Sequence, residues 1–558
     1  MAALKFSELS TDLKTLIVSH ILRPTDLVAV CLTSKQLHEI AVRFLYRDVP
    51  LDIGCPHDSS LAAFLNSRNI GLPYIRKLDL YLADIPDKCG QLEQAHFATR
   101  MILEFLPENI LERFSWHPWQ NFSAGNLELL YRKQRRLKNL EGISLDADPW
   151  DKLNKIPNLD ELFNNVRKVY CFPDNRDVLT FCGELLRRTK RIESLNIHTS
   201  FCDDSDHQHY INPRELNDTA TEPGLITSTV FSHMLPFESC TPLNITKLDL
   251  QKVNLRFCAN TYARVINFRG LRDLSVQRCP GVDTFLSEIS KSSNLPVKLL
   301  DFSIKHKDND EDDGMSALDG FLCLVSGIES LMIDFSNSET LPQVDSIVRH
   351  SKTLKTLIVH AADGDWGSET TDELIYDAND FKKICEQCSA IEELSIATPD
   401  RSITDCDPQQ FNTWGEPYLK LANLRTLHFT VWPTNKPSSA AVSRDTYIAL
   451  LQVHATRLFD TSLTANPRLN IIAFGTSDKT YDRRDSPNLV IFAKGIAPRI
   501  VGNSRKVKGA VDEDGKKAYA QEVGYHDRRY IEQKSECLEL DLGANKVKMP
   551  VKDLWDDD

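Results

Sequence analysis

The sequence predicts an α/β fold in which strand–helix units stack into a solenoid behind an all-α N-terminal segment. Three observations predict it: an apolar template that recurs through residues 51–480, helical patterns between its copies, and a separate helical pattern in residues 1–50. Hydrophobic residues make up 41% and charged residues 26% of the 558-residue chain, as in ordinary globular proteins. The remaining residues, 481–558, break the pattern and form a third predicted segment.

Residues 1–50 carry the pattern of three short helices. The apolar residues at helical spacing in the first are Leu9, Leu13, Leu16, Ile17 and Ile21. Pro24 is expected to end this helix, because proline cannot continue its hydrogen-bond ladder. Thr25 is expected to cap the second helix and Ser34 the third. A unit of this size buries too little apolar surface to be stable by itself. It is therefore expected to pack on a neighbouring part of the chain or on a partner protein.

This segment resembles an F-box. The resemblance lies in Leu-Ser-Thr-Asp-Leu at 9–13, Asp-Leu at 26–27, Thr-Ser-Lys-Gln-Leu at 33–37 and Phe-Leu-Tyr-Arg-Asp-Val at 44–49. Ser10 and Asp12 stand where the family usually has proline and glutamate. The resemblance implies docking to the Skp-family adaptor of a cullin–RING ubiquitin ligase. The adaptor-facing or supporting positions that it implies are Leu9, Leu13, Ile17, Ile21, Leu27 and Leu37. The alternative is a helical cap on the repeats, without adaptor binding.

An apolar-x-x-apolar-x-apolar template recurs thirteen times after residue 50. Its first positions are Ile75, Leu111, Leu140, Val166, Ile192, Ile245, Leu271, Leu299, Ile328, Leu354, Ile391, Leu424 and Leu469. Most steps between them are 26–29 residues, and the step of 53 after Ile192 indicates a missed or inserted repeat. One strand and one helix per such period is typical of leucine-rich repeats. We therefore predict a horseshoe-shaped leucine-rich-repeat solenoid with a parallel sheet.

The polar residues between the apolar positions of the template are expected on the concave face of the sheet. They include Asp79, Asn196, Asp249, Ser275, Ser303, Ser395 and His428. An extended face of mixed charge binds a protein far more often than it forms a catalytic cleft. These residues are therefore the predicted target-binding positions.

Residues 481–558 are predicted to form an extension that caps the open end of the solenoid. Residues 488–494 and 537–542 have the pattern of strands, the charged residues 504–517 are expected to form a loop, and Trp-Asp-Asp-Asp at 555–558 is an acidic tail. No role beyond capping is evident.

The composition indicates which classes of partner and which cellular compartment to expect. The chain has 66 basic and 79 acidic residues, a net charge of −13, which disfavours a nucleic-acid ligand. No apolar stretch reaches the length of a membrane span, and the N-terminus lacks the continuous apolar core of a signal peptide. We therefore expect an intracellular protein, cytosolic or nuclear, with mostly reduced cysteines and no membrane partner.

The sequence predicts no catalytic residues, no cofactor and no metal site. Cys385 and Cys388 form a lone CxxC pair without the second pair that a structural zinc needs. The acidic run 308–314 fails the register of a calcium loop, because Asp313 and Asp319 stand where glycine and glutamate are required.

Together these features predict a non-catalytic subunit that recognises the substrate of a Skp–cullin–F-box type ubiquitin ligase. It would act by proximity, by holding a target protein near the activated ubiquitin. The alternatives are a leucine-rich-repeat scaffold without a ligase role and, ranked last, an enzyme with an unrecognised site.

Overall fold

A computed structural model of the chain describes eighteen stretches of residues. These are 6–21, 24–53, 59–81, 89–116, 122–141, 163–164, 166–171, 176–189, 191–198, 224–291, 295–308, 313–363, 372–399, 413–430, 444–475, 489–496, 518–524 and 535–539. The chain forms two compact units, Met1–Asn267 (unit 1) and Phe268–Asp558 (unit 2). The boundary between the units falls inside the predicted repeat segment.

Unit 1 begins with three helices and continues with alternating strands and helices. Its helices are α1 (Thr11–Ser19), α2 (Pro24–Cys31), α3 (Lys35–Leu45), Ser59–Phe64, Cys89–Phe105, Ala124–Lys133, Arg176–Arg188, Leu225–Val230 and Ala259–Val265. Its strands are β1 (Asp48–Asp52), β2 (Lys77–Tyr81), β3 (Arg113–Trp116), β4 (Asn139–Glu141), β5 (Lys168–Cys171), β6 (Ser194–His198) and β7 (Lys247–Gln251). Short 3-10 turns span Phe6–Glu8, Leu72–Tyr74, Ser232–Met234 and Phe237–Ser239.

Two of the three N-terminal helices begin at serine caps. Ser10 Oγ accepts a hydrogen bond from Leu13 N at 3.3 Å, and Ser34 Oγ caps α3 in the same way. The first helix ends at Ser19, ahead of Pro24. The expected Thr25 cap is wrong, because α2 begins at Pro24. Proline suits the first helical position, since its fixed φ is already helical and its missing N–H would have no partner there.

The strands of unit 1 form a parallel sheet in the order β1 to β7. Leu78, Phe114 and Leu140 lie side by side, so Leu137 rather than Leu140 takes the first position of the third template. The pattern favoured Leu140, because Ile143 and Leu145 complete a template that starts there, whereas a template that starts at Leu137 meets Gly142 at its third position. In the described part of the 53-residue step no strand intervenes, since Asn196 of β6 pairs directly with Asp249 of β7.

The first strand, β1, lies at the edge of this sheet and carries a proline. It pairs with β2, with Pro50 opposite Asp79, and has no second strand partner in the described part of the chain. Proline has no N–H, so the edge offers one donor fewer than an ordinary strand.

Unit 2 continues the alternation and ends in antiparallel strands. Its helices are Val282–Lys291, Gly314–Leu324, Val344–Val348, Ala378–Gln387, Arg444–Ala465 and the turn Glu536–Glu539, with 3-10 turns at Phe268–Gly270 and Pro417–Lys420. Its strands are β8 (Asp273–Gln277), β9 (Asp301–Lys307), β10 (Ser330–Ser336), β11 (Thr356–Asp363), β12 (Asp372–Glu373), β13 (Glu393–Ile396), β14 (Thr426–Phe429), β15 (Ile471–Gly475), β16 (Leu489–Ile496) and β17 (Ala518–Glu522).

Strands β8, β9, β10, β11, β13, β14 and β15 of unit 2 pair in parallel. The two-residue β12 runs antiparallel to β11, and β16 and β17 add antiparallel strands after β15. The apolar template positions face the helices: Phe302 of β9 packs on Phe321 with ring centroids 5.1 Å apart, and Phe474 of β15 packs on His454. In each unit the described strands form an open sheet, not a barrel.

The C-terminal predictions had mixed outcomes. The strand predicted at 488–494 is confirmed as β16, but the strand predicted at 537–542 is wrong, because residues 536–539 form a helical turn. Both Cys537 and Leu538 are buried, and adjacent residues of a strand would point to opposite faces. The predicted loop 504–517 and the acidic tail lie outside the described residues, as does most of the acidic run 308–314. Among the described helices, none combines the length and apolar character of a membrane span.

Candidate functional site

The three N-terminal helices enclose a small core of their own. Its buried residues are Val18, Leu27, Ile40 and Ala41, and Ile21, Leu37, Phe44 and Leu45 pack against it. A polar link ties α1 to α3: Lys14 Nζ donates to Gln36 Oε1 at 2.9 Å, and Gln36 Nε2 donates to Thr11 Oγ1 at 3.2 Å. Lys14 and Val18, four residues apart, therefore define the inward side of α1.

The other side of α1 presents large apolar side chains to solvent. Leu13 is 48%, Leu16 56% and Ile17 44% exposed, and they share one face because they lie three and four residues apart. On and just after α2, Val28 and Leu32 are also exposed, Leu32 at 83%. We call these five residues the N-terminal apolar face. Solvent exposure of so many large apolar residues in so short a segment is typical of an interaction surface.

The structure divides the six predicted adaptor positions into two kinds. Leu13 and Ile17 are exposed, whereas Leu27 is buried in the small core, and Ile21 and Leu37 pack against it as supporting residues. Leu9 is half-buried. Leu16, Val28 and Leu32 were missed, although the helical spacing of Leu16 from Leu13 would have identified the first of them.

The predicted target-binding positions of unit 1 lie in intramolecular polar pairs. Arg113 donates from Nη2 to both carboxylate oxygens of Asp79, the shorter contact being 2.8 Å. Asn196 Nδ2 donates to Asp249 Oδ2 at 3.1 Å, and His198 Nε2 lies 3.4 Å from the same oxygen. Asp79 and Asn196 therefore have hydrogen-bond partners within the sheet.

In unit 2 the four predicted positions are less accessible than expected. Ser275 is buried, and Ser303 Oγ lies 3.1 Å from Met332 Sδ. Ser395 and His428 are 0% and 2% exposed, so the expectation of an accessible binding position is wrong at Ser275, Ser395 and His428. By register, Ser303, Ser395 and His428 do lie on the sheet face opposite the helices.

Ser395 and His428 form a serine–imidazole pair that does not suit nucleophilic catalysis. Ser395 Oγ lies 2.9 Å from His428 Nδ1, and His428 Nε2 lies 2.5 Å from the carbonyl oxygen of Gly475, which can only accept. The ring therefore donates from Nε2 and accepts at Nδ1. Burial lowers the pKa of His428 to about 4, far from the value that a general base needs near neutral pH. Neither side chain is open to a substrate.

A buried ionic cluster occupies the next row of the same face. Lys305 Nζ lies 3.1 Å from Asp334 Oδ2, and Asp334 Oδ1 accepts from His360 Nδ1 at 2.7 Å. His360 Nε2 lies 3.3 Å from Glu373 Oε1 on β12. Burial opposes the imidazolium charge, but the Glu373 and Asp334 carboxylates outweigh it and raise the pKa of His360 to about 10. The cluster is thus a charge-paired structural element.

The CxxC cysteines pack in the interior. Cys385 and Cys388 are both fully buried, and burial raises the pKa of the Cys388 thiol to about 12 and that of Cys385 still further. Metal ligands are thiolates, and these two thiols are held protonated. Within the described residues no group of three His, Cys, Asp or Glu side chains is placed to hold a metal ion.

A cavity of about 590 Å³ opens at the edge of unit 1 where the parallel strands begin. It is lined by Arg76, Glu108, Asn109, Ile110, Glu112, Arg136, Lys138 and Arg167. Arg76 and Arg167 each donate from Nη1 to two backbone carbonyls, which fixes them as part of the wall. No sequence pattern pointed to this cavity, since its residues come from four repeats.

The chain was compared with protein-family models and with curated proteins. No protein-family model matches the chain, and no curated protein matches it.

Proposed function

We propose that the chain is the substrate-recognition subunit of a Skp–cullin–F-box type ubiquitin ligase. In this proposal residues 1–50 are an F-box that binds the Skp-family adaptor, and the repeats form a leucine-rich-repeat horseshoe that binds a target protein. The N-terminal apolar face carries the proposal: Leu13, Leu16 and Ile17 are exposed on a helix whose inward side is already packed.

Energetics supports a partner for this face. Fully burying one large aliphatic side chain contributes about 1.5–3 kcal/mol. About half of each of the three side chains Leu13, Leu16 and Ile17 is still exposed, so their burial would contribute about 2–4 kcal/mol to binding. A helical cap without a partner would instead turn these side chains onto the following repeats. Their exposure therefore favours adaptor binding over the scaffold alternative.

The repeat geometry supports the second half of the proposal. Twelve of the thirteen templates coincide with a strand in the predicted register, and helices lie between them, among them Arg176–Arg188, Val282–Lys291 and Ala378–Gln387. One strand and one helix per 26–29 residues is the leucine-rich-repeat period.

Co-purification with a Skp-family adaptor tests the proposal. The full chain should form a stoichiometric complex, and the L13D/I17D variant should lose it, because two carboxylates would be buried at the interface without partners. The matched control is F97D/M101D, which changes two exposed residues with the same spacing on the helix Cys89–Phe105.

The control should bind like the wild type, and all three chains should melt alike. Absence of a complex with a well-folded wild-type chain would overturn the proposal and favour the scaffold. Equal loss of binding in both variants would show that the N-terminal apolar face is not the adaptor site.

A further inference from the structure

The C-terminal helical turn of unit 2 lies on the sheet face opposite the helices, where the target was predicted to bind. Cys537 packs with Met332 of β10 and Ile358 of β11, both on that face. Leu538 packs in a second cluster whose other members are Ile471, Ala473, Leu489 and Ile491. The segment 535–539 thus covers strands from β10 to β16.

One carboxylate fixes the start of this segment. Glu393 Oε2 accepts a hydrogen bond from Ser535 Oγ at 3.1 Å and from the backbone N–H of Cys537 at 3.2 Å. Glu393 is the first residue of β13 and is itself 8% exposed. Hydrogen bonds to an acceptor in so buried a place are costly to lose, because the acceptor would be left unsatisfied. They set where the turn begins and which residues face the sheet.

Residues 535–539 dock on the sheet as a bound peptide ligand would. A helical turn of four residues is not stable by itself, so it owes its conformation to the surface beneath it. The core of unit 2 lies on the other face, where the template residues meet the helices. Removing the segment would uncover Met332, Ile358 and the small side chains beside them without opening that core.

We propose that this face of unit 2 is a peptide-binding site, that residues 535–539 occupy it as an internal ligand, and that a target peptide of the same chemistry displaces them. The matching peptide is a short helical turn with a hydroxyl residue followed, two and three positions later, by two adjacent apolar residues. The proposal rests on the target-binding half of the proposed function and is independent of the adaptor surface.

Peptide binding to the full chain tests the proposal. The probe is a fluorescently labelled peptide with the sequence of residues 531–543, and the readout is its Kd by fluorescence anisotropy. In the C537D/L538D variant the internal segment should leave the face, because two carboxylates would be buried against apolar residues. The control L324D/V453D places the same two charges at exposed positions of unit 2.

In the wild type and in the control, the tethered segment competes with the peptide at an effective concentration of the order of millimolar. In the C537D/L538D chain this competition is removed, so the peptide should bind that chain at least about tenfold more tightly. Adding E393Q to that variant should weaken the binding. Equal affinity for all three chains, or no binding to the C537D/L538D chain, would overturn the proposal. Unchanged adaptor binding by every variant separates this failure from a failure of the proposed function.

A charge test examines the same site without a peptide. The S535D variant sets a second carboxylate beside Glu393, and their repulsion should release the segment, as phosphorylation of Ser535 would. Hydrogen exchange at the Cys537 amide should then be at least about tenfold faster. Adding E393Q removes the repulsion and should restore slower exchange. Unchanged exchange in S535D would show that Glu393 does not hold the segment.

Discussion

The buried imidazole of His428 should make unit 2 sensitive to acid. Burial lowers its pKa from 6.5 to about 4. The unfolded chain takes up the proton near pH 6.5, whereas the folded chain does so only near pH 4. The unfolded state therefore binds more protons in this window, and the free energy of unfolding should fall as the pH is lowered through it.

The size of the effect follows from the two pKa values. The difference between the two pKa values corresponds to about 3 kcal/mol, lost at about 1.4 kcal/mol per pH unit. His454 contributes in the same direction, because burial, with Arg457 nearby, lowers its pKa to about 3. A variant at one histidine isolates its share of the slope.

The assay is urea unfolding of the full chain at several pH values, with pulse hydrogen exchange of a peptide that spans β14 as the readout. In H428N the free energy of unfolding should depend on pH less steeply than in the wild type, by about 1.4 kcal/mol per unit between about pH 6 and 4.5. The control H20N changes an exposed histidine of unit 1, at the C-terminal end of α1. Its pH dependence of the free energy of unfolding of unit 2 should equal that of the wild type. A wild-type slope in H428N would refute the argument that the fold keeps this imidazole neutral.

Three further predictions concern stability and are measured by chemical denaturation. D334N should lower the free energy of unfolding by about 3–5 kcal/mol, because it removes the carboxylate that pairs with His360 and with the buried Lys305. The control is S336A on the same strand, which should be nearly neutral, because the Ser336 hydroxyl has no hydrogen-bond partner in the described structure. Equal losses in the two variants would contradict the ionic role of Asp334. G183A should destabilise unit 1 by about 1–3 kcal/mol, since its Cβ would lie 2.8 Å from a backbone oxygen of the neighbouring helix. G320A, with open space around it in a helix, should instead stabilise unit 2 by about 0.5–1 kcal/mol, and a loss there would contradict the space found around it.

The repeat architecture could be predicted because each strand repeats the same local rule. Template residues such as Leu274 and Leu357 are fully buried, as a one-faced strand requires. The slip at Leu140 shows the limit of the rule. A template that starts at Leu137 has Gly142 at its third position, so the pattern favours Leu140 as the first position, yet Leu140 pairs with Phe114 and takes the second. Similarly, the pattern in residues 1–50 located the helices but not the side on which each one packs.

The burial of the polar face could not be predicted, because alternation assigns a residue to a face but does not say what covers that face. Ser395 and His428 follow a pattern typical of exposed positions, yet both are buried. The elements over this face come from elsewhere in the chain: Glu373 on β12, and Ser535 and Cys537 near the C-terminus. Contacts across such separations leave no periodic signal in the sequence.

Pro50 in the edge strand β1 bears on how the protein behaves in a crowded solution. A long parallel sheet with an open edge could recruit strands from neighbouring molecules and grow into a fibre. The missing N–H of Pro50 interrupts the row of donors that such growth would use. In unit 2 the direction of pairing reverses at β16, so a further parallel repeat does not simply continue the array. Each feature disfavours the addition of further strands at its own sheet edge.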